Sequence, residues 1–448
     1  MFKPFFSDRS RDCVDHPRQM IEPLESRVML AGDVTALVSG GALVIRGDTA
    51  ANDVIVEQLA PNQYSVSSGT DVTTINGTAG PQTFTGVRGD IRMTMSGGAD
   101  IVTVQATTLP RNLVINGGTG DNDIAVLDTN IVGSLSVTND TGNNLFTLST
   151  ASISGSVTIT NSGGNSTTNI GPSTIGRTLR IRNGTGDDTL TLSETTVMGS
   201  TQVDNRAGNS ISTLIAAALT GAFTVKNGQG NDTCQISDCS FGGNVSMANN
   251  GGNSDITIDP STFSRSLSIR SDEGVDTFAA TNMTVGGNLA INFGNGGSTV
   301  AFNAVDSIQG SLSILTGTSA DTITTTGLTV GKQVKINLGA GDDAIAMDSS
   351  TFIQKMTLTT GDGNDLVNIA LATDPTTGFP TAFNSTVTLA SGAGDDAVQI
   401  GVAGEIVTTA RFSRLFSFDG GTGSNTIDFL NNGNIFGVTA KIRNATAT

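Results

Sequence analysis

Aspartates in glycine-rich turns are the residues of this sequence best suited to chemistry. Pairs or near pairs stand in LGAGDDAIAM, TGDGNDLVNI and SGAGDDAVQI, and a single aspartate stands in TGTSADTITT. Carboxylates and turn carbonyls supply the hard oxygen ligands that Ca²⁺ takes in proteins. The candidate metal ligands are therefore six residues: Asp321, Asp342, Asp343, Asp365, Asp395 and Asp396.

Three interpretations of these turns can be weighed from the residues. A phosphate-binding glycine loop needs a following helix whose N-terminus faces the anion. Here each turn leads into alternating residues typical of a strand, and the aspartates would repel phosphate, so this interpretation is the weakest. A calcium site and a plain turn, in which Asp and Asn side chains bond their own backbone, both remain open.

A repeat of 22 residues provides the elements that must position these turns. From Asn139 the chain divides into units such as NGTGDDTLTLSETTVMGSTQVD, with one residue of slack between Phe293 and Leu315. Each unit holds three short runs in which apolar residues alternate with Thr, Ser and Asn, as in half-buried strands. The sequence predicts an all-β fold, a right-handed parallel β-helix (solenoid) with about 22 residues per rung and roughly fifteen rungs.

The turn positions of the repeat carry further predictions. The first position predicts a ladder of stacked amides, because it is Asn in six consecutive units: Asn139, Asn161, Asn183, Asn205, Asn227 and Asn249. The fourth position is Gly in almost every unit, for example Gly142 and Gly186, which predicts a positive φ there.

The sixth position decides where a cation would bind. In the middle units it alternates between Asp and Ser, as in Asp188, Ser210 and Asp232. From Asp321 to Asp396 it is Asp in every unit. Like charges on adjacent rungs, about 4.8 Å apart, cost roughly 1 kcal/mol per pair in water and more at a half-buried edge. A cation or a proton would relieve this repulsion, so we expect any calcium in this segment.

The chain divides into four parts on this pattern. Residues 1–32 form a charged leader that we expect to be disordered, and residues 33–94 form an N-terminal cap or irregular rungs. Residues 95–365 form the regular β-helix, and residues 366–448 form irregular rungs and a C-terminal cap. Such caps are expected because an open end of stacked strands invites further pairing.

Composition excludes several classes of protein. The net charge of −17 disfavours nucleic acid as a partner, and no apolar run approaches the length of a membrane span. Cys13, Cys234 and Cys239 lack zinc spacing. We favour free, partly buried thiols for Cys234 and Cys239 over a disulfide between them.

Two segments resemble known families. LESRVMLAG, Leu24 to Gly32, resembles the LEPR-XLL sorting segment of large planctomycete proteins, with Ser26 and Met29 as departures. This resemblance implies export and a secreted or cell-surface location. The GGTGDNDIAV and NGTGDDTLTL turns resemble the RTX repeat, which implies Ca²⁺ bound between stacked turns. RTX turns recur every nine residues, whereas here one turn occurs per rung, so only one edge would bind calcium.

These observations favour a structural or adhesion-type rod that is secreted or displayed at the cell surface and monomeric. Its expected partners are extracellular polysaccharide or matrix and surface proteins. The alternative is a polysaccharide lyase or hydrolase built on a β-helix. An enzyme is disfavoured because the one His lies in the leader and the aspartates repeat, whereas a catalytic site should be singular. Phe379, Phe383, Phe412 and Phe416 either bind a surface partner or, as we favour, fill the end of the rod.

Overall fold

The computed structural model describes residues 32–447 except 70–72, 372–379, 403–408 and 431–433. The regular secondary structure of this part of the chain is entirely β, and parallel strands stack in register at intervals of about 22 residues. The result is a β-solenoid of about fifteen turns, so the predicted fold class is confirmed. The LEPR-XLL-like segment up to Ala31, as well as Phe379, lies outside the described residues.

Three faces run along the rod, and each receives one strand from every rung. Face A begins at the sixth or seventh position of the unit, and its strands are Ile101–Gln105, Asp123–Leu127, Asn144–Ser149, Ser166–Ile170, Asp188–Ser193, Ser210–Ile215, Asp232–Ser237, Ser254–Ile258, Thr277–Ala280, Thr299–Asn303, Thr322–Thr326, Ala344–Asp348, Leu366–Ile369, Ala397–Ile400, Thr426–Phe429 and Thr446–Ala447. Face B is narrow, and its strands are Thr108–Leu109, Asn130–Ile131, Ser152–Ile153, Thr174–Ile175, Thr196–Val197, Ala218–Leu219, Ser240–Phe241, Ser261–Phe263, Met283–Val285, Ser307–Ile308, Thr329–Val330, Thr351–Phe352, Thr381–Phe383, Ala410–Phe412 and Ile435–Phe436. Face C completes the rung with Leu113–Gly118, Leu135–Thr141, Val157–Gly163, Leu179–Arg182, Thr201–Asp204, Phe223–Asn227, Val245–Asn249, Leu267–Ser271, Leu289–Asn292, Leu312–Leu315, Val334–Ala340, Met356–Asp362, Val387–Ala390, Phe416–Asp419 and Lys441–Arg443.

The N-terminal part of the described chain departs from this parallel pattern. Its strands are Asp33–Ser39, Ala42–Arg46, Asp53–Ala60, Gln63–Ser67, Thr74–Ile75, Gln82–Thr85 and Ile91–Thr94. Three pairings among them are antiparallel, including the hairpin in which Leu37 faces Val44. The buried Tyr64 hydroxyl donates a 2.7 Å hydrogen bond to the main-chain oxygen of Thr108, which ties this region to the rungs that follow.

Alternation of side chains builds a continuous core inside the rod. Along Leu179–Arg182, Leu179 and Ile181 are fully buried while the two arginines point outward. Rings on neighbouring rungs stack, as in Phe383 on Phe412, with centroids 4.8 Å apart. Complete burial of a phenylalanine stabilises the fold by about 1.5–3 kcal/mol. Phe383, Phe412 and Phe416 therefore serve as core, which confirms the favoured interpretation for these three residues.

The predicted amide ladder is present. The Asn139 Nδ2 atom donates to Asn161 Oδ1 at 3.1 Å, and the same bond repeats through to Asn249 at 2.8–3.1 Å. All six asparagines are buried, and these bonds give partners to amide groups that burial would otherwise leave without one, apart from the Oδ1 atom of Asn139 at the start of the ladder.

Glycine is required at the fourth position for two different reasons. Gly142 has a φ of 136°, as the sequence predicts. Gly186 does not have a positive φ, so that prediction is wrong for this residue. A Cβ atom on Gly186 would instead collide with the carbonyl oxygen of Gly164 on the preceding rung. Close approach of stacked backbones is therefore what requires glycine at Gly186.

Candidate functional site

A row of polar side chains fills one inner corner of the rod. We call it the inner ladder; it comprises the sixth position of each rung from Asp100 to Asn425, and each member is at most 4% exposed. Its members are Asp100, Asn122, Asn144, Ser166, Asp188, Ser210, Asp232, Ser254, Asp276, Ser298, Asp321, Asp343, Asp365, Asp396 and Asn425. These residues lie inside the rod, and not at the half-buried edge that the sequence predicted.

Side chains of the inner ladder accept hydrogen bonds from the backbone of the preceding rung. The main-chain N–H of Asp321 donates to Asp343 Oδ1 at 2.8 Å, and the N–H of Asp343 donates to Asp365 Oδ1 at 2.9 Å. The N–H of Asp365 donates to Asp396 Oδ1 at 3.1 Å. An Asp or Asn at this position thus provides an acceptor that a backbone donor at the turn needs.

The middle of the inner ladder gives its carboxylates a second donor. The Ser210 hydroxyl donates to Asp232 Oδ1 at 2.6 Å, and the Ser166 hydroxyl donates to Asp188 Oδ1 at 2.6 Å. The alternation of Ser and Asp thus pairs Asp188 and Asp232 with a hydroxyl on the preceding rung, whereas Asp276 accepts from the Ser271 hydroxyl of its own rung at 3.0 Å. The neighbours of Asp343 and Asp365 in the inner ladder are aspartates on both sides, so no serine of the ladder stands next to these two carboxylates.

One oxygen of each inner-ladder aspartate has no partner. The Oδ2 atoms are buried without a hydrogen bond in Asp100, Asp188, Asp232, Asp276, Asp321, Asp343, Asp365 and Asp396. Burial raises the pKa of Asp188 and Asp232 to about 6. Burial, with the charges of Asp321 and Asp365 as smaller causes, raises the pKa of Asp343 to about 7. Asp343 therefore retains its proton in about half of the molecules at pH 7, whereas Asp188 and Asp232 lose theirs mostly below that pH.

A second row follows the same turn on its solvent side. This outer ladder comprises the fifth position of the rungs, and its hydrogen bonds run in the opposite direction. The Asp342 Oδ1 atom accepts from the N–H of Asn364 at 2.8 Å, and Asn364 Oδ1 accepts from the N–H of Asp395 at 2.9 Å. The Asp395 Oδ1 atom accepts from the N–H of Ser424 at 2.7 Å. Asp and Asn are suited to this position because both carry an acceptor oxygen.

The two ladders separate the six predicted metal ligands. Asp321, Asp343, Asp365 and Asp396 lie in the inner ladder, whereas Asp342 and Asp395 are exposed in the outer ladder. Within the described ranges, no group of three or more His, Cys, Asp or Glu side chains is arranged to hold a metal ion. The unpartnered Oδ2 atoms have the chemistry that Ca²⁺ requires, but they stand one per rung in a line. The Asp and Asn side chains of both ladders accept from the backbone of a neighbouring rung, whereas a plain turn would have them bond their own backbone.

A long groove follows the corner between faces A and B. Its volume is about 670 Å³, and it crosses five rungs from Ala106 to Thr196. Residues at the twelfth position, including Asp128 and Thr150, adopt left-handed φ values of 48° and 53° and turn the chain sharply there. One wall is the fourteenth position of each rung, with side chains directed to solvent: Thr108, Asn130, Ser152, Thr174 and Thr196.

The wall of the groove has free hydrogen-bonding capacity. Within the part of the chain that the structure describes, the hydroxyl and amide groups of this wall make no side-chain hydrogen bond. The charged residues of the lining are Asp128 and Glu194. This groove was not predicted, although a Thr, Ser or Asn every 22 residues is a signal in the sequence that could have indicated it.

Asp306 is a buried carboxylate that the repeat did not predict. Its unit, Phe293 to Leu315, has one residue more than the regular 22-residue unit, and Val305 is 72% exposed there. Asp306 is fully buried and accepts a 2.6 Å hydrogen bond from the N–H of Met283. Burial raises the pKa of Asp306 to about 6. Its position follows from the inserted residue, which the sequence shows only as a shift in register.

The cysteines of the described chain contribute no bridge to the site. Cys234 and Cys239 are free and buried, as favoured from the sequence. Burial raises the pKa of the Cys234 thiol to about 12, so it stays protonated and unreactive.

Comparison of the chain with protein-family models, with curated proteins and with solved structures gives no match. No helix of the described residues is long and apolar enough to cross a membrane.

Proposed function

We propose that this chain is a structural rod, secreted or displayed at the cell surface, that adheres to extracellular polysaccharide through the groove between faces A and B. The observation that carries this proposal is the wall of Thr108, Asn130, Ser152, Thr174 and Thr196. Unbonded hydroxyl and amide groups, one per rung over five rungs, suit the repeated hydroxyls of an extended sugar chain. The groove is open and follows the rod, so a polymer can lie along it without an end entering.

The two ladders support a scaffold role. Their Asp and Asn side chains accept backbone hydrogen bonds from neighbouring rungs, so these acidic groups stabilise the stack. They recur along the rod, whereas catalysis needs a singular constellation with an acid or base within reach of the substrate. The resemblance of Leu24 to Gly32 to an export segment supports the location.

Binding to an array of neutral and acidic polysaccharides, with a turnover assay on the same sugars, tests the proposal. We expect binding without cleavage. The double variant Asn130→Arg/Thr174→Arg places bulk in the groove and should abolish binding of neutral polymers. Ser240→Arg is the matched control, because Ser240 is an exposed residue of the same column outside the groove.

Two outcomes would overturn the proposal. Cleavage of a bound sugar would favour the lyase or hydrolase alternative. Equal binding by the groove variant and by Ser240→Arg would show that the groove is not the site.

A second proposal concerns calcium. The Oδ2 atoms of Asp321, Asp343, Asp365 and Asp396 are buried acceptors without donors, and they favour a cation at this segment of the inner ladder. Bound Ca²⁺ would neutralise the row and stabilise the rod where adjacent carboxylates repel each other.

A further inference from the structure

Face C carries a cluster of cationic side chains on its outer surface. Arg180 and Arg182 point outward from their strand because Leu179 and Ile181 fill the core. On the next rungs, Gln202 and Thr224 continue the column of Arg180. Asp204 and Lys226 continue the column of Arg182. Three rungs thus place cationic and neutral polar groups side by side.

Most of these side chains, though not Arg182, line a cleft of about 320 Å³. Arg180, Gln202, Asp204, Thr224 and Lys226 line it. The volume is at the lower end of the range of small-molecule sites, about 300–1,000 Å³. The cleft lies on a different face from the groove, so the two can be altered separately.

The cations of the cleft lack ion-pair partners. Asp204 stands in register between Arg182 and Lys226, yet none of the three forms a salt bridge. In the described residues the salt bridges are Arg92–Asp90 and Arg270–Asp272. In a chain with a net charge of −17, unpaired positive charges gathered around a cleft favour an anionic ligand at short range.

We infer that this cleft binds an anionic group, a carboxylate or a sulfate, carried by a sugar unit of an acidic polysaccharide. The Arg180 guanidinium offers a fork of donors that matches the oxygens of such a group, and Lys226 adds a second positive charge. Gln202, Thr224 and the Asp204 carboxylate can bond sugar hydroxyls. Asp204 also disfavours a ligand as densely charged as nucleic acid.

The inference rests on the proposed function in one respect: it takes the partner to be a polysaccharide. The site itself is independent of the groove. Loss of neutral polymer binding in Asn130→Arg/Thr174→Arg, with acidic polymer binding retained, would support both sites. If the wild type binds no neutral polymer, the groove proposal fails, and binding of the acidic polymers still tests the cleft independently.

Arg180→Gln/Lys226→Gln is the test variant, and Lys335→Gln is its matched control. Lys335 occupies the same outward column as Arg180, but its neighbours in register are Ser313 and Thr357, so no second cation stands beside it in that column. The probes are polygalacturonate, dextran sulfate, neutral dextran and single-stranded DNA, with binding measured by calorimetry at low and high NaCl. Arg180→Ala with an intact Lys226 is a second variant if the double variant fails to fold.

We expect the wild type to bind polygalacturonate or dextran sulfate with an affinity that falls as salt increases. The double variant should lose at least tenfold in affinity, and Lys335→Gln should match the wild type. Asp204→Asn should bind the acidic polymer more tightly. Binding to one of the two acidic polymers identifies the anionic group. No binding to either, equal losses in the double variant and in Lys335→Gln, or tighter binding to DNA would overturn the inference.

Discussion

The main-chain N–H of Asp321 donates a 2.8 Å hydrogen bond to the Oδ1 atom of Asp343, and both carboxyl groups are buried. Each side chain in this segment of the inner ladder thus accepts from one rung and leaves its second oxygen without a donor. A proton or a cation is what the second oxygen requires, because adjacent carboxylates in a buried row repel each other. The stability of the rod is therefore linked to pH.

The rod should lose stability as the pH rises from 5 to 8. The folded pKa of Asp343 is about 7, and those of Asp100, Asp188 and Asp232 are about 6, all above the ordinary value of 3.8. Between these values the folded state binds more protons than the unfolded state, so the free energy of unfolding falls as the pH rises. Thermal unfolding in a chelating buffer should show a Tm several degrees lower at pH 8 than at pH 5.

Groups with lowered pKa values do not obscure this trend. Hydrogen bonding and the charge of Arg92 lower the pKa of Asp90, and backbone hydrogen bonds lower that of Asp48. Their contribution is complete above the unfolded pKa and therefore lies below the window from pH 5 to 8. A Tm that stays constant or rises across the window would contradict the prediction.

Replacement of a single inner-ladder carboxylate separates charge from hydrogen bonding. Asp343→Asn keeps the acceptor for the N–H of Asp321 and removes the charge, so it should raise the Tm at pH 8 and reduce its pH dependence. Asn122 and Asn425 show that the ladder accepts an amide. Asp343→Leu removes the acceptor, leaves a buried donor without a partner, and should cost about 1–3 kcal/mol at pH 5.

The control for this pair is Asp342→Asn. Asp342 is exposed in the outer ladder, and an amide there still accepts from the N–H of Asn364. Its effect should stay within about 0.5 kcal/mol at both pH values. Equal effects of Asp342→Asn and Asp343→Asn at pH 8 would mean that burial of the inner ladder does not govern the response.

Close contact between rungs should make Gly186→Ala strongly destabilising although its φ is not positive. A Cβ atom there meets the backbone carbonyl of Gly164, which cannot move without shifting a rung. Gly163→Ala is the control, because a Cβ atom on Gly163 meets only the Thr141 methyl group at 3.8 Å. Chemical denaturation should show a loss of more than about 1 kcal/mol for the first variant and a smaller change for the second. Similar losses of stability in the two variants would mean that these positions require the conformational freedom of a glycine backbone and not the close contact between rungs.

Much of this architecture can be predicted from the sequence because the 22-residue repeat determines which residues stand in register on neighbouring rungs. Asn183 could be placed in a hydrogen-bonded ladder since identical residues recur every 22 positions in parallel strands. The depth of Asp188 was missed because the residue was treated as part of a turn. The sixth position has the same parity as the inward Leu190 and Leu192, so extending the alternation by one step would have placed Asp188 inside. At Gly186 the recurring glycine indicates a constraint, but a positive φ and a close contact between rungs select the same residue type, so the sequence alone does not distinguish them.

The groove and the cleft were harder to predict because neither depends on the repeat alone. The groove depends on how sharply residues such as Asp128 turn the chain between two faces. The cleft depends on three rungs that differ from the consensus, where Arg180, Asp204 and Lys226 meet. Single outward residues give no periodic signal, and only the register shows that they are neighbours.

Calcium should stabilise the rod at pH 8, where protons no longer neutralise the inner ladder. Millimolar Ca²⁺ should raise the Tm of the full chain, and Mg²⁺ should not, because its strict octahedral geometry and firmly held waters do not suit a buried row of single carboxylates. The double variant Asp343→Asn/Asp365→Asn should lose the response. The control Asp187→Asn alters the solvent-exposed outer ladder in a middle rung and should keep it. If neither Ca²⁺ nor Mg²⁺ changes the Tm, the calcium proposal is wrong, and protonation is then the means by which the buried row is neutralised.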